Sequence, residues 1–251
     1  MATVQQHYDS HLGAIYGWMI GDFETAKEAA RAELQAVGIA SGAGRIAIDL
    51  GAGPGAHALV LADAGYTVTA IDTCAELLDE LRAHDHEGAV RRIQDDLLQI
   101  RRYCSSGADV ILCMGDTLTH LESTASVQRL FSEIGSSLTP GGVFVATFRD
   151  YASKTVEGLA RFIPVRQDES RILTCFLEYG ERTVTVHDLL HERTIAGWTL
   201  RVSSYPKLRL NPEWARAALE RLGLAASLEA GPRGMTRLVA RRPEVSSTGI
   251  R

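Results

Sequence analysis

Three closely spaced glycines and the acid that follows them carry the first chemistry in this chain. In "AIDLGAGPGAHALVLADAGYTVTAID", Ala47 to Asp72, the residues Gly51, Gly53 and Gly55 let the backbone turn sharply and bring amide N–H groups against a ligand near a helix N-terminus. Asp72 closes the stretch with a carboxylate that can accept from both hydroxyls of a ribose. Together they describe a site for a nucleoside-bearing cofactor. The glycines alone leave two cofactors open. One is a dinucleotide that carries hydride, whose relaxed fingerprint G-x-G-x-x-G/A fits with Ala56 in the last place; the other is an adenosine sulfonium that carries methyl.

The elements that must position these residues alternate. "RIAIDLG" is a short apolar strand, "GAHALVLADAG" a helix closed by Gly65, "YTVTAID" a second strand and "CAELLDELRAH" a second helix; "VRRIQDDL" is a weak strand and "ADVILCMGD" a strong one. "STASVQRLFSEIGSSL" is amphipathic and stops at "TPGG", before the buried-type strand "VFVATF". Units of this length imply parallel pairing and a doubly wound α/β fold. From Arg171 to Leu210 the pattern changes to three strand-like runs, "RILTCFLEY", "TVTVHDLLHER" and "WTLRVSSYPKLRL", whose close turns predict an antiparallel three-stranded cap. An Asn cap and Pro open the helix "NPEWARAALERLG", and "AASLEAG" and "GMTRLVARR" are closing strands. A surface helix over Asp22–Val37 precedes the core. The expected organisation is a helical lid segment 1–40, a cofactor-binding core 41–150, a cap or substrate insert 151–210, the end of the core 211–242 and a loose tail 243–251.

Composition excludes several classes. The chain has 251 residues, 45% of them hydrophobic and 23% charged, with a formal net charge of −5. Acids and bases are interspersed without a basic stripe, so nucleic acid is not the expected partner and a small-molecule substrate is. No run reaches the roughly 18 apolar residues of a membrane span, and the start lacks a basic and apolar leader, so a cytoplasmic location is expected. Cys74, Cys104, Cys113 and Cys175 show no CxxC spacing and read as reduced thiols. The edge of the cap sheet is a place where copies of the chain could pair into a homo-oligomer.

Asp49 two residues before Gly51, Pro54 inside the turn, and "TPGG" ahead of a later strand resemble class I S-adenosylmethionine-dependent methyltransferases, with their stretch E/D-x-G-x-G-x-G. The resemblance implies a Rossmann-like, mostly parallel seven-stranded sheet and an acid after the third strand for the adenine amine, where "IQDDL" offers Asp95 and Asp96. Asp95 is the expected acceptor for the amine and the Asp96 backbone the expected donor to the ring. "CMGDTLTHL", Cys113 to Leu121, is similar to the loop G-N-[ST]-[FL]-x-H-L of glycine and glycine/sarcosine N-methyltransferases, and "FRDY", Phe148 to Tyr151, to their H-R-N-Y. The cofactor residues this implies are Asp49, Gly51, Ala52, Gly53 and Gly55, then Asp72 and Thr73, then Asp95, Asp96 and Leu97, then Cys113, Met114 and Gly115. The implied cofactor is S-adenosyl-L-methionine, with S-adenosyl-L-homocysteine as product. A NAD(P)-dependent oxidoreductase, and a protein of the same fold that binds the sulfonium without transferring methyl, are the alternatives.

In that family the arginine of the second motif holds a substrate carboxylate, and Arg149 matches it. Asp116 departs from the family, since it replaces an asparagine and would repel such a carboxylate. Either Arg149 is neutralised by Asp116 or Asp150, or the acceptor differs from glycine, for instance an amine paired with Asp116. Methyl transfer is an in-line displacement that needs alignment and desolvation, and a hydroxyl or acid acceptor would benefit from a base. His120 is the candidate base because its pKa lies near working pH; a histidine bonded to the loop backbone is the bland alternative. Tyr8, Tyr16 and Trp18 precede the core and could close over a methylsulfonium, and Tyr151 and Tyr205 could line the acceptor site. Lys207 and Arg209 share a face with Tyr205 and are expected to be solvated. His187 and His191 would stand about 13 Å apart along a strand, too far to share an ion, so polar alternation on an exposed sheet face explains His187, Asp188, His191 and Glu192, and no metal is expected.

Overall fold

The alternation of short apolar strands with helices folds as parallel pairing requires. In a computed structural model that describes residues 2–244, β1 (Ile46–Leu50), β2 (Thr67–Asp72), β3 (Val90–Gln94), β4 (Ala108–Cys113) and β5 (Leu138–Phe148) run parallel. The helices α4 (Ala56–Asp63), α5 (Ala75–His84) and α6 (Thr124–Ser137) connect successive strands of this set. β10 (Ala225–Ala230) and β11 (Thr236–Arg241) complete a seven-stranded sheet of order β10-β11-β5-β4-β1-β2-β3, with β11 antiparallel to both neighbours. Side chains alternate between two cores. Ile48, Leu50, Ile111, Phe144 and Phe148 face one side with Phe131 of α6, and Ala47, Val110, Leu112 and Val145 face the other with Leu59 of α4 and Leu34. The predicted doubly wound α/β fold is the one observed.

Before the sheet lie α1 (Val4–His7), a π-helical turn over Tyr8–Leu12, α2 (Gly13–Ile20) and α3 (Phe23–Ala36). Asp22 caps α3, its side chain accepting from Thr25 N–H at 2.8 Å. The helix expected over Asp22–Val37 is α3 within a residue at each end. α7 (Pro212–Glu220) starts as its Asn-Pro signal predicts, with the Asn211 side chain accepting from Trp214 N–H at 3.0 Å.

Two details correct the sequence reading. The cap is a four-stranded antiparallel sheet and not a three-stranded one. β7 (Arg171–Tyr179), β8 (Thr183–Thr194) and β9 (Gly197–Leu208) are the expected meander, and β6 (Phe162–Gln167) is the addition. Pro164 hid it: the ladder shifts register between Pro164 and Arg166, and a proline, with no N–H to donate, sits on an edge strand or at such a bulge. The "TPGG" segment is likewise the bulged beginning of β5, where pairing jumps between Ala108 and Val110, and not a turn before it. One cap face holds Leu173, Leu177, Val184, Val186, Leu190 and Tyr205 against the lid and the core; on the other, Trp198, Leu200 and Val202 of edge strand β9 are about half exposed. No helix among the described residues is long and apolar enough to cross a membrane. Residues 245–251 of the expected tail lie outside the described residues.

Candidate functional site

Strand order reverses between β1 and β4, and beyond the carboxyl ends of β1 to β4 lies a cavity of about 990 Å³. Asp72 ties its floor together, because Oδ2 accepts from Gly53 N–H at 2.8 Å and Oδ1 from Cys74 N–H at 2.9 Å. The glycine loop is therefore held in place before any ligand arrives. Gly51, at φ +67°, has no room for a side chain: a Cβ would stand 2.4 Å from Thr117 Cγ2, so glycine is what lets the loop after β1 pack on the loop after β4. Gly53 instead opens toward the Tyr16 ring, whose Cε1 would be 3.9 Å away. Gly55 lies outside the cavity lining; it caps α4 at φ +88°, and a Cβ there would meet Leu81 Cδ1 at 2.1 Å. Its role is packing of α4 on α5, which the motif by itself did not separate from ligand contact.

Asp49 lines the cavity with Oδ2 buried and without a hydrogen-bond partner, and burial pushes its carboxyl up to about 6, against the pull of nearby His57. A buried acceptor left open beside a cavity suits a ligand that brings an N–H donor. On the far side, Asp95 Oδ2 accepts from Tyr103 O–H at 2.5 Å and Oδ1 from Asp96 N–H at 2.8 Å; the Tyr103 bond first, then Asp96, holds its carboxyl below the usual range. Each Asp95 oxygen thus already accepts one hydrogen bond from the chain. The Asp96 N–H is committed to Asp95, whereas the Asp96 carboxylate uses Oδ1 to cap the following turn, accepting from Leu98 N–H at 2.8 Å, and keeps Oδ2. Ala52, Thr73, Leu97, Met114 and Gly115 line the same cavity as expected, and Cys113 does not: it is fully buried behind the loop, where burial pushes its thiol up.

The loop after β4 is organised by Asp116, which adopts φ +80°, a left-handed conformation that a non-glycine residue holds only when its surroundings impose it. Its N–H donates to Thr147 O at 2.8 Å, Oδ1 accepts from Arg149 N–H at 2.8 Å, and Oδ2 accepts from Lys207 Nζ at 2.5 Å and Tyr151 O–H at 3.3 Å. Lys207 comes from β9, so one buried ion pair joins core to cap. Burial disfavours the ammonium, but the charge of Asp116 outweighs it and holds Lys207 above the ordinary lysine range. The expected solvation of Lys207 is thus incorrect, and Arg209 too is occupied, donating to Tyr151 O at 2.9 Å and Gly180 O at 2.7 Å. Neither expected partner neutralises Arg149: its side chain is exposed and outside the cavity lining, with Nη1 donating weakly to Arg233 O at 3.4 Å.

His120 follows in the same loop and lines the cavity, in edge contact with Tyr8 (centroids 5.7 Å apart) and Tyr205 (5.9 Å). Burial, then the Lys207 charge, pushes its pKa down to about 3, so the ring is neutral at working pH and is not a base poised near it. Its buried Nε2 has no partner, and no bond to the loop backbone is found among the described residues. Tyr8 and Tyr16 line the cavity, their rings 6.1 Å apart, and burial raises both phenols. Trp18 is elsewhere: Nε1 donates to Asp168 Oδ2 at 2.5 Å and Arg171 stacks over the ring at 4.7 Å, fastening α2 to the cap. Asp116, Tyr151 and Tyr205 stand behind the lining residues, not among them.

Sequence reasoning missed Thr117, His57, Glu33 and Arg233, which also line the cavity. It also misjudged Asp188, which is 2% exposed and bonded to His7, not part of a solvated face. A signal was present: in "TVTVHDLL" Asp188 falls in phase with Val184, Val186 and Leu190, the buried phase of the strand. His187 shares hydrogen bonds with Ser204 at 2.8 Å and Glu178 at 3.0 Å. Among the described residues Asp9, Cys74 and Glu76 bring metal-ligand atoms within 4.8 Å of one another, of which Cys74 Sγ donates to Glu76 Oε2 at 3.4 Å.

Residues 47–142 match the family model described as a methyltransferase domain. The glycine/sarcosine N-methyltransferase of Aphanothece halophytica is 29% identical over 112 residues, 44% of this chain and 42% of that protein. The chain thus matches about two fifths of the length of this curated relative. Two solved structures share the fold across nearly the whole chain. The CcbJ methyltransferase from Streptomyces caelestis has a TM-score of 0.77 at 18% identity, covering 96% of this chain and 99% of its own. CalS10, an amino pentose methyltransferase from Micromonospora echinaspora solved with S-adenosylmethionine bound, has 0.72 at 20%, covering 91% and 95%. Residues 47–142 are therefore similar to a methyltransferase domain, and the chain has the fold of the S-adenosylmethionine-dependent methyltransferases.

Proposed function

We propose that this protein binds S-adenosylmethionine and transfers its methyl group in line to a nitrogen of a small-molecule acceptor. The observation that carries the reading is the composition of one cavity. Its floor is the Asp72-anchored glycine loop with the unpartnered Asp49 oxygen, and its roof is Tyr8, Tyr16 and neutral His120. Asp49 would accept from the amino group of the methionine moiety, Asp72 from the ribose hydroxyls, and the Asp96 carboxylate with the Leu97 N–H from and to the adenine edge. The cofactor supplies an electrophilic methyl carbon on a sulfonium, and the tyrosine faces suit that cation.

What the chain's own residues then do is align and desolvate. Nitrogen is favoured over oxygen because the roof of the cavity, where the acceptor would sit, supplies no base: His120 sits at about 3, and Asp116 behind it is bonded to Lys207. A neutral amine needs no base, and the free Nε2 of His120 can accept one of its hydrogens and so hold its lone pair on line. The likeness to a glycine/sarcosine N-methyltransferase supports the same atom. Asp116 repels no substrate carboxylate once Lys207 neutralises it, and exposed Arg149, bonded to Arg233 of the cavity lining, is the guanidinium that could pair with one.

Calorimetry with S-adenosylhomocysteine is the test. Micromolar or tighter binding is expected, and Asp72→Asn should weaken it about 10- to 100-fold, since hydrogen bonds to a charged acceptor are worth about 1.5–3 kcal/mol. No binding to the wild type, or binding of a nicotinamide cofactor in its place, would sink the reading. Release of S-adenosylhomocysteine with primary and secondary amines, amino sugars included, but not with their hydroxyl analogues, checks the acceptor atom.

A further inference from the structure

Tyr8 and Tyr16 reach the cavity from the N-terminal helices, which rest on α5 of the core on one side and on the cap on the other. Leu12 and Ile15 pack on Leu173 of β7 and Leu190 of β8, with Trp18 clamped beyond them by Asp168 and Arg171. At the inner end stands His7, with none of its surface exposed. Its Nε2 shares a hydrogen bond with Asp188 Oδ2 at 2.9 Å and its Nδ1 with Ser203 Oγ at 2.8 Å, and its ring stacks on Tyr205 at 4.1 Å. The other oxygen of Asp188 accepts from Cys175 Sγ at 2.9 Å. Every polar atom of the imidazole is thereby matched by β8 and β9.

We infer that His7 and Asp188 are positioning residues: their contact latches the N-terminal helices onto the cap and sets Tyr8 and Tyr205 against His120. This rests on the proposed methyl-transfer reading of the cavity. Tyr8 is the next residue to His7, and Tyr205 carries the His7 ring on its face, so one bonded pair governs both aromatic walls that touch His120. The chemistry of the contact suits a closure that must reopen. Beside the apolar seam of Leu12 and Ile15, His7 and Asp188 each regain water when the lid lifts, so their bond favours closing at a modest cost of opening. Val4, Gln5, Tyr8, Tyr16 and Ile20 form one wall of the cavity, so lifting the lid removes that wall.

Two measurements on the full chain separate this inference from the reading it rests on. Hydrogen exchange of residues 4–20 in the ligand-free protein needs no cofactor. His7→Ala and Asp188→Asn should each speed it at least tenfold while the amides of β1 and β4 keep their protection, and His7→Gln, which retains a donor toward Asp188, should restore most of it. Unchanged exchange in both variants overturns the latch, as does a loss of protection that spreads equally to β1 and β4. Then, if the wild type turns over, the latch variants should raise KM for the cofactor about tenfold with a smaller change in kcat and return to wild type in His7→Gln; a loss in kcat alone would overturn it. Absence of S-adenosylhomocysteine binding to the wild type would strike the functional reading and leave the exchange result standing.

Discussion

At the residue scale, the cavity is built by acids that neighbouring chain has already partly spent. Asp72 and Asp96 each give at least one oxygen to backbone N–H groups and shape a loop with it, whereas Asp49 keeps one oxygen buried and unmatched. That has a sign in stability. With its folded pKa near 6 and an ordinary value of 3.8, Asp49 keeps a proton in the folded state that the unfolded chain has lost, so stability falls as pH rises from about 4 through 6 and then levels off. Asp49→Asn should therefore stabilise the ligand-free protein at pH 8 by on the order of 2 kcal/mol, a gain that disappears near pH 4, while weakening cofactor binding. Urea unfolding at several pH values checks it; a gain independent of pH would mean that Asp49 is not the titrating group. Lys207→Met should cost about 3–5 kcal/mol, because it strands a buried carboxylate, and adding Asp116→Asn should recover much of that loss. A double-mutant cycle with strictly additive terms would show that the pair is not coupled.

At the element scale, each loop of the site is joined to an element distant in sequence. Gly51 packs on Thr117, Asp116 on β5 and β9, and α2 on the cap through Trp18. Gly55→Ala should destabilise the protein by about 2–4 kcal/mol, from left-handed strain and the clash with Leu81, without removing a ligand contact. Leu81→Ala, costly by itself because Leu81 is fully buried, should cost less in the Gly55→Ala background than alone in urea unfolding, and strictly additive losses would place the Gly55→Ala cost in the backbone alone. The strand and helix positions were readable in the sequence because hydrophobic period and caps are local properties. β6 was not, since an exposed edge strand broken by Pro164 carries no alternation to read. The π-helical turn at Tyr8–Leu12 likewise leaves no pattern of its own.

At the scale of the whole molecule, core, cap and lid enclose one cavity, so a ligand that fills it should stabilise all three as one unit. S-adenosylhomocysteine at about 100 times its Kd should add about 2.7 kcal/mol, raising Tm by roughly 5–10 °C. Differential scanning calorimetry with the ligand and with NAD⁺ at equal concentration separates the two cofactors; a shift with NAD⁺ alone would reverse the assignment. What the sequence by itself determined is the doubly wound sheet, the glycine loop with Asp72, and the order of the loops at the strand ends, because each depends on residues near one another in the chain. What only the tertiary structure decided is protonation and partnership: that Lys207 neutralises Asp116, that His120 is neutral and open, and that Asp188 is buried on His7. Those outcomes depend on which distant side chains exclude water from a given group. Strand β9 and helix α1 supply that exclusion from opposite ends of the chain, where no local pattern reports it.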